Sequence, residues 1–185
     1  MQWRRAVTRL REVRQLAPRD ASDPEAIDAH PLMREWFGDR LEQTNKAAWK
    51  AAHGRLYDHL RDTTHEGQTP TLSDLAPLFH AIAHGCRAGR QQQALDEVYA
   101  RRVCHRLPSG KIEFYSYRSL GAVSSDLAAV ACYFDTPYEM PITALSPRHR
   151  RWVFSTAGIY LGAQGRFPGS GRLEVVDARV GRITH

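Results

Sequence analysis

Asp28-Ala29-His30-Pro31-Leu32-Met33-Arg34-Glu35-Trp36-Phe37 is the corner at which this 185-residue chain changes character. Proline suits the first turn of a helix, because the N–H it lacks would have no partner there and its φ is already near the helical value. From Pro31 onward, Met33, Trp36, Phe37 and Leu41 fall on one side of a helix. His30, a titratable side chain, stands just ahead of that helix, where a candidate strand ends.

On the N-terminal side of the corner, Trp3, Val7, Leu10, Val13 and Leu16 recur at helical spacing, with Arg4, Arg5, Arg9, Arg11 and Arg14 around them. This spacing predicts a short amphipathic helix with a strongly basic side. Pro18 to Pro24 is rich in turn formers, and residues 15–17 and 26–30 are candidate short strands flanking it. A helix, a small hairpin and a second helix make the end of a winged-helix unit, which is expected over residues 1–44.

On the C-terminal side, helices follow one another. Asn45 is a candidate N-cap for a helix whose Trp49, His53, Leu56, Tyr57 and Leu60 form a core stripe. Thr71 or Asp74 caps the next, in which Pro77 forces a late start or a kink. It runs through Leu78, Ile82 and Cys86 to Gly89, and a further helix covers Gln91 to Val103. Leu107 to Gly110 is a turn, and Ile112 to Tyr115 can be extended. Leu120, Val123, Leu127, Val130 and Phe134 then mark a helix. Ser146-Pro147 starts the last one, which reaches about Gln164. Glycines 165, 169, 171 and 181 with Pro168 break the remainder, where Leu173 to Val176 is at best a short strand.

Two helix pairs superpose at an offset of 76 residues: Leu78, Ala81, Ile82, Gly85, Gly89 and Ala94 fall on Phe154, Ala157, Gly158, Leu161, Gly165 and Ser170. A large residue, small residues at the crossing, a turn glycine and a small residue on the second helix follow the spacing of a tetratricopeptide repeat. Small side chains let antiparallel helices approach closely while large ones fill the gaps beside the crossing. The expected fold is therefore mainly α: a tetratricopeptide-like array of antiparallel helical hairpins over residues 45–167, preceded by a partial winged helix and followed by an irregular tail at residues 168–185.

Composition bounds the function classes. Hydrophobic residues at 42% beside 25% charged ones are those of a folded chain, not a disordered one. The net charge of +6 comes almost entirely from arginine, since lysine appears only at Lys46, Lys50 and Lys111. Cys86, Cys104 and Cys132 are odd in number and widely spaced, which fits a reducing cytoplasm better than a disulfide framework. No apolar run approaches the roughly 18 residues of a membrane span, so a cytoplasmic location is expected.

The segment Ala29-His30-Pro31-Leu32-Met33-Arg34-Glu35 resembles the Met-His-Asp corner in the winged-helix part of STAND signalling ATPases of the NB-ARC and NACHT types. Trp49 to His53 with Leu56-Tyr57, Pro77 to Phe79 with His84 to Cys86, and Ala94 to Tyr99 are similar to the helical-repeat region that follows that core in bacterial members. The resemblance covers roughly residues 1–167. It implies that His30 senses the phosphates of bound ADP and helps hold an off state, although Pro31 stands where the family more often has Asp. The chain contains no Gly-x-x-x-x-Gly-Lys-Ser/Thr, so the ATPase core that would cradle the nucleotide is not in this sequence.

The remaining chemistry is sparse. His80 and His84 stand four apart on one helix with Cys86 near, a spacing able to bind zinc, but Ala81 replaces the Glu of His-Glu-x-x-His and no third ligand is evident. The cysteines read as buried small hydrophobes. Trp36, Phe37, Trp49, Tyr57 and Phe134 sit at core spacing. The expectation is thus a non-catalytic interaction or regulatory scaffold with no cofactor and no metal. Its partner would be another protein or an ATPase domain of a longer chain, and exposed array ends would favour self-association. The alternative is a DNA-binding winged-helix regulator using the arginines of the first helix. Those arginines are matched by Arg148, Arg150, Arg151 and Arg166 elsewhere, which weighs against nucleic acid.

Overall fold

A computed structural model describes residues 2–19 and 27–165, with side chains from Arg4 onward. The chain forms two compact units, one ending at Lys50 and one beginning at Ala51.

In the first unit, α1 (Gln2–Glu12) stops earlier than its apolar stripe suggests. Arg14 turns to φ +56°, and the N–H groups of Gln15 and Leu16 both fold back onto the Leu10 carbonyl at 2.9 and 3.3 Å. This left-handed closure satisfies a carbonyl that the helix end would otherwise leave open. Leu16 then pairs antiparallel with Ala29, and the Ala17 N–H donates to the Asp28 carbonyl at 2.7 Å. The two candidate strands therefore meet at one bridge; most of the turn between them lies outside the described residues.

Helix α2 (Pro31–Thr44) begins at the proline, with His30 as its N-cap. Its expected core stripe is not in a core: α2 has no buried residue, and Trp36 and Phe37 are 53% and 57% exposed. The two rings meet each other edge to face at 4.8 Å, and the Arg40 guanidinium lies 5.3 Å over Trp36. Asn45 ends α2 and starts α3 (Lys46–Thr63), its Oδ1 accepting from the Ala48 N–H at 3.0 Å.

The second unit contains the rest of α3 and the core. Helix α4 (Leu72–Arg87) opens with a full capping box, in which Thr71 Oγ accepts from the Asp74 N–H and Asp74 accepts from the Thr71 N–H. It runs through Pro77 without the late start considered above. Gly89, at φ +81°, closes the turn into α5, which is α-helical over Gln91–Gln93 and π-helical over Ala94–Val103. Its i→i+5 bonds align residues four and five apart, so Ala94, Val98, Tyr99 and Val103 share one buried side. Gly85 has no room for a side chain: a Cβ there would meet the Tyr57 ring at 2.8 Å and the Ala94 Cβ at 2.9 Å. That close approach draws α4 against α5.

Arg102 of α5 locks the end of α3. Its guanidinium donates to the carbonyls of Arg61 and Thr64, both at 2.6 Å, and to both oxygens of Glu66. A cation on the last carbonyls of a helix also suits the negative end of its dipole.

After α5 the chain forms a bridge between Arg106 and Ile112, then the short α6 (Tyr115–Arg118) and α7 (Val123–Ala131). The helix expected to reach Phe134 ends three residues before it. Phe134 instead starts β1 (Phe134–Thr136), which pairs antiparallel with β2 (Met140–Pro141) across a turn where Tyr138 takes φ +66°. Prolines at 137 and 141 remove the donors that a continuing helix needs. Helix α8 (Pro147–Ala163) follows from a Ser146 N-cap. The architecture is mainly α, with Tyr57, Leu75, Leu78, Ile82, Leu95, Tyr99, Val130, Tyr133 and Tyr160 at the centre of one apolar cluster. Leu56, expected in that stripe, is 44% exposed. Of the 76-residue repeat, the Ser170 position lies outside the described residues.

Candidate functional site

An open apolar feature of the second unit lies between the β hairpin and α8. The hairpin projects Met140, 62% exposed, and α8 presents Phe154, 45% exposed. With Pro141, Arg150, Arg151 and Glu139 they line a groove of about 550 Å³. The Phe154 ring is held by Phe134, whose centroid is 6.5 Å away. Arg150 has its Nε buried with no hydrogen-bond partner. The guanidinium groups of Arg150 and Arg151 beside an exposed aromatic ring suit an acidic ligand that also carries an apolar group.

A polar cluster joins α5 to the start of α8. His149 Nε2 lies 3.2 Å from Asp96 Oδ1, and its Nδ1 lies 2.8 Å from both Ser146 Oγ and Gln92 Nε2. Arg106 also reaches Asp96, at 3.3 Å. The order Ser, His, carboxylate is that of a nucleophile relay, but Ser146 is occupied as a helix cap. Its Oγ accepts the His149 N–H, and it does not line the adjacent cleft formed by Asp96, Arg106, Arg148, His149 and Trp152. The cluster acts as a clasp between two helices.

Asp126 of α7 is an acid placed inside the core. It is fully buried, and its Oδ1 accepts from Ser116 at 2.9 Å and Tyr99 at 3.2 Å, while Oδ2 has no partner. Burial pushes its carboxyl up to about 6, against the pull of those two hydroxyls. The Tyr160 hydroxyl lies 3.1 Å from that of Tyr99, so one network ties α5, α6, α7 and α8 together. Burial raises both phenols well above their ordinary value.

On the other side of α4, His84 Nδ1 and His53 Nδ1 are 2.8 Å apart with stacked rings. Only one of the two nitrogens can carry the proton between them. Burial, with the positive fields of His53 and Arg87, pushes His84 down to about 4. His80 points elsewhere, lining a cleft with Cys132. Among the described residues no group of three or more His, Cys, Asp or Glu side chains is arranged to hold a metal ion. Cys104 is fully buried, whereas Cys86 and Cys132 are half-buried, and the Cys132 thiol donates to the Ala128 carbonyl at 3.4 Å.

His30 is exposed, and its Nδ1 accepts the Leu32 N–H at 3.3 Å. It thus closes the first turn of α2 in the way a Ser or Asn cap does. The groove was not visible in the sequence, where Thr136-Pro137 and Pro141 were the available signal for the hairpin that forms one side of it.

No protein family, curated protein or solved structure matches the chain. No described helix is long and apolar enough to cross a membrane.

Proposed function

We propose that the chain is a protein-interaction scaffold whose helical body receives an acidic segment bearing an apolar side chain in the groove between the β hairpin and α8. The observation that carries this reading is the pairing of exposed Phe154 and Met140 with Arg150 and Arg151 in one groove. The apolar group would take the Phe154 and Met140 surface, and the carboxylates would take the guanidinium donors. Asp126, Tyr99 and Tyr160 are tied together in the core, and Asp96 and His149 are used in a clasp between helices, which favours binding over catalysis as the role of the surface. The resemblance at Ala29 to Glu35 supports placing such a scaffold in a signalling protein of the STAND type. There His30 would sense nucleotide held by an ATPase domain elsewhere.

Fluorescence anisotropy with labelled peptides tests the proposal. An acidic peptide with a central Leu or Phe should bind, and its basic and all-polar counterparts should not. Phe154→Ala and the double change Arg150→Glu, Arg151→Glu should each weaken binding by about tenfold or more. Equal binding by all three peptides would overturn the groove. Tight, sequence-selective binding of duplex DNA at physiological salt would instead establish the DNA-binding alternative.

A further inference from the structure

Helix α2 has no buried residue, and its open surface is chemically ordered. Glu35, Asp39 and Glu42 are spaced four and three residues apart, so they line one side of the helix. Leu32 and Trp36 stand three residues before Glu35 and Asp39, run along that same side and are 67% and 53% exposed. The cations of the helix are engaged elsewhere: Arg34 reaches Asp28 at 3.5 Å, and Arg40 lies over Trp36. Among the described residues no ion pair holds Glu35, Asp39 or Glu42. The groove between the β hairpin and α8 carries the opposite arrangement. There exposed Met140 and Phe154 stand beside Arg150 and Arg151, with Glu139 at the wall. Neither arginine belongs to an ion pair among the described residues.

Resting on the groove reading above, we propose that the acidic segment this groove receives is α2 of a second copy of the chain. Each of two copies seats Trp36 and Leu32 against Met140 and Phe154 of the other. The indole is a flat apolar ring that a phenyl ring and a thioether both pack against. Glu35 and Asp39, within one turn of Trp36, meet the guanidinium groups of Arg150 and Arg151 in charge-assisted hydrogen bonds. An aromatic anchor at the centre with charged pairs around it is the usual division of labour in a protein interface. Opposite charges on the two surfaces fix which face of α2 turns inward, because the face with Arg34 would meet two more arginines. Every copy carries both surfaces, so a reciprocal exchange satisfies both at once and closes at two copies. Docking also takes from water an exposed aromatic side chain that α2 alone leaves open.

The full-length chain is followed by light scattering and sedimentation velocity over a micromolar to submillimolar concentration series. The expected result is a dimer that forms with concentration and weakens as salt is raised. Trp36→Ala should raise the dissociation constant by about tenfold or more while leaving the monomer folded. The triple change Glu35→Lys, Asp39→Lys, Glu42→Lys should give a monomer, and so should the double change Arg150→Glu, Arg151→Glu. Mixing the triple and double variants should restore a dimer with one copy of each, since both contacts then join opposite charges. Circular dichroism checks that each variant is folded, and the wild-type series stands without any variant. Titrating the triple variant with the acidic peptide bearing a central Leu or Phe separates this contact from the groove reading. Peptide binding by a chain that never dimerises sinks the α2 contact alone, whereas absence of both sinks the groove as well. A wild-type chain monomeric throughout the series, a dimer that survives both charge reversals, or a mixture that stays monomeric each overturns the proposal.

Discussion

Helices α2 and α4 have similar lengths and similar apolar spacing, yet they end in opposite environments. Helix α4 buries Leu75, Leu78, Ala81, Ile82 and Gly85, whereas α2 buries nothing and leaves Leu32, Trp36 and Phe37 more than half exposed. The difference lies in what surrounds each stripe. In α4 the small residue Gly85 admits Tyr57 and Ala94 to van der Waals contact, so the large residues around it are enclosed from several sides. The α2 aromatics Trp36 and Phe37 meet each other edge to face and Trp36 carries the Arg40 guanidinium, yet both stay more than half exposed. An apolar stripe thus specifies a face that is able to be buried, and burial itself requires a complementary surface that often includes a missing side chain.

The largest expected effect tests the enclosed helix. Leu78→Ala should destabilise the second unit by about 3 kcal/mol, as expected for a fully buried leucine, whereas Trp36→Ala should change stability by roughly 0.5 kcal/mol or less. Urea unfolding of both variants checks the contrast. Equal losses would erase the distinction between the two helices.

Arg102→Ala should cost about 3 kcal/mol, because it leaves Glu66 and two carbonyls at the end of α3 without their donor. Arg102→Lys should recover only part, since an ammonium cannot reproduce the fork. Next comes Gly85→Ala, expected to cost about 2 kcal/mol by forcing α4 away from Tyr57 and Ala94. Gly158→Ala, in open space on α8, should be neutral or slightly stabilising.

The smallest effects are in pH dependence, where buried Asp126 and half-buried His84 act in opposite directions. Asp126 binds its proton more tightly folded, at about 6, than at its ordinary 3.8. Its neutral form is the stabilising one, so stability falls as pH rises from 3.8 through about 6. Asp126→Asn should therefore stabilise by about 1–2 kcal/mol at pH 8 and by nearly nothing below pH 3.8. His84 binds its proton less tightly folded, at about 4, than at its ordinary 6.5. Its contribution is present above 6.5 and is lost as pH falls toward 4. His84→Gln should flatten that acid limb in urea midpoints measured at closely spaced pH values. A variant that left the limb unchanged would assign it to other groups.

Helix starts were legible because capping is local. His30-Pro31, Asn45, Thr71 with Asp74, and Ser146-Pro147 each satisfy free N–H groups within a few residues, and all serve as caps in the fold. Glycine at 89 was legible for the same reason, since a left-handed turn is a property of one residue. The hairpin at Phe134 to Pro141 was hidden by an apolar spacing that fits a helix as well as a strand. The groove it forms with α8 was hidden with it.

The sequence by itself determined that the chain is mainly helical, where most helices begin, and which faces are apolar, because these depend on spacing and on neighbours along the chain. Only the tertiary structure decided that Leu78 is enclosed and Trp36 is not, that Asp126 meets Tyr99 and Ser116, and that His53 meets His84. Those are contacts between residues far apart in sequence. They arise only when helices pack at particular distances, and a residue's identity does not reveal who will stand across from it.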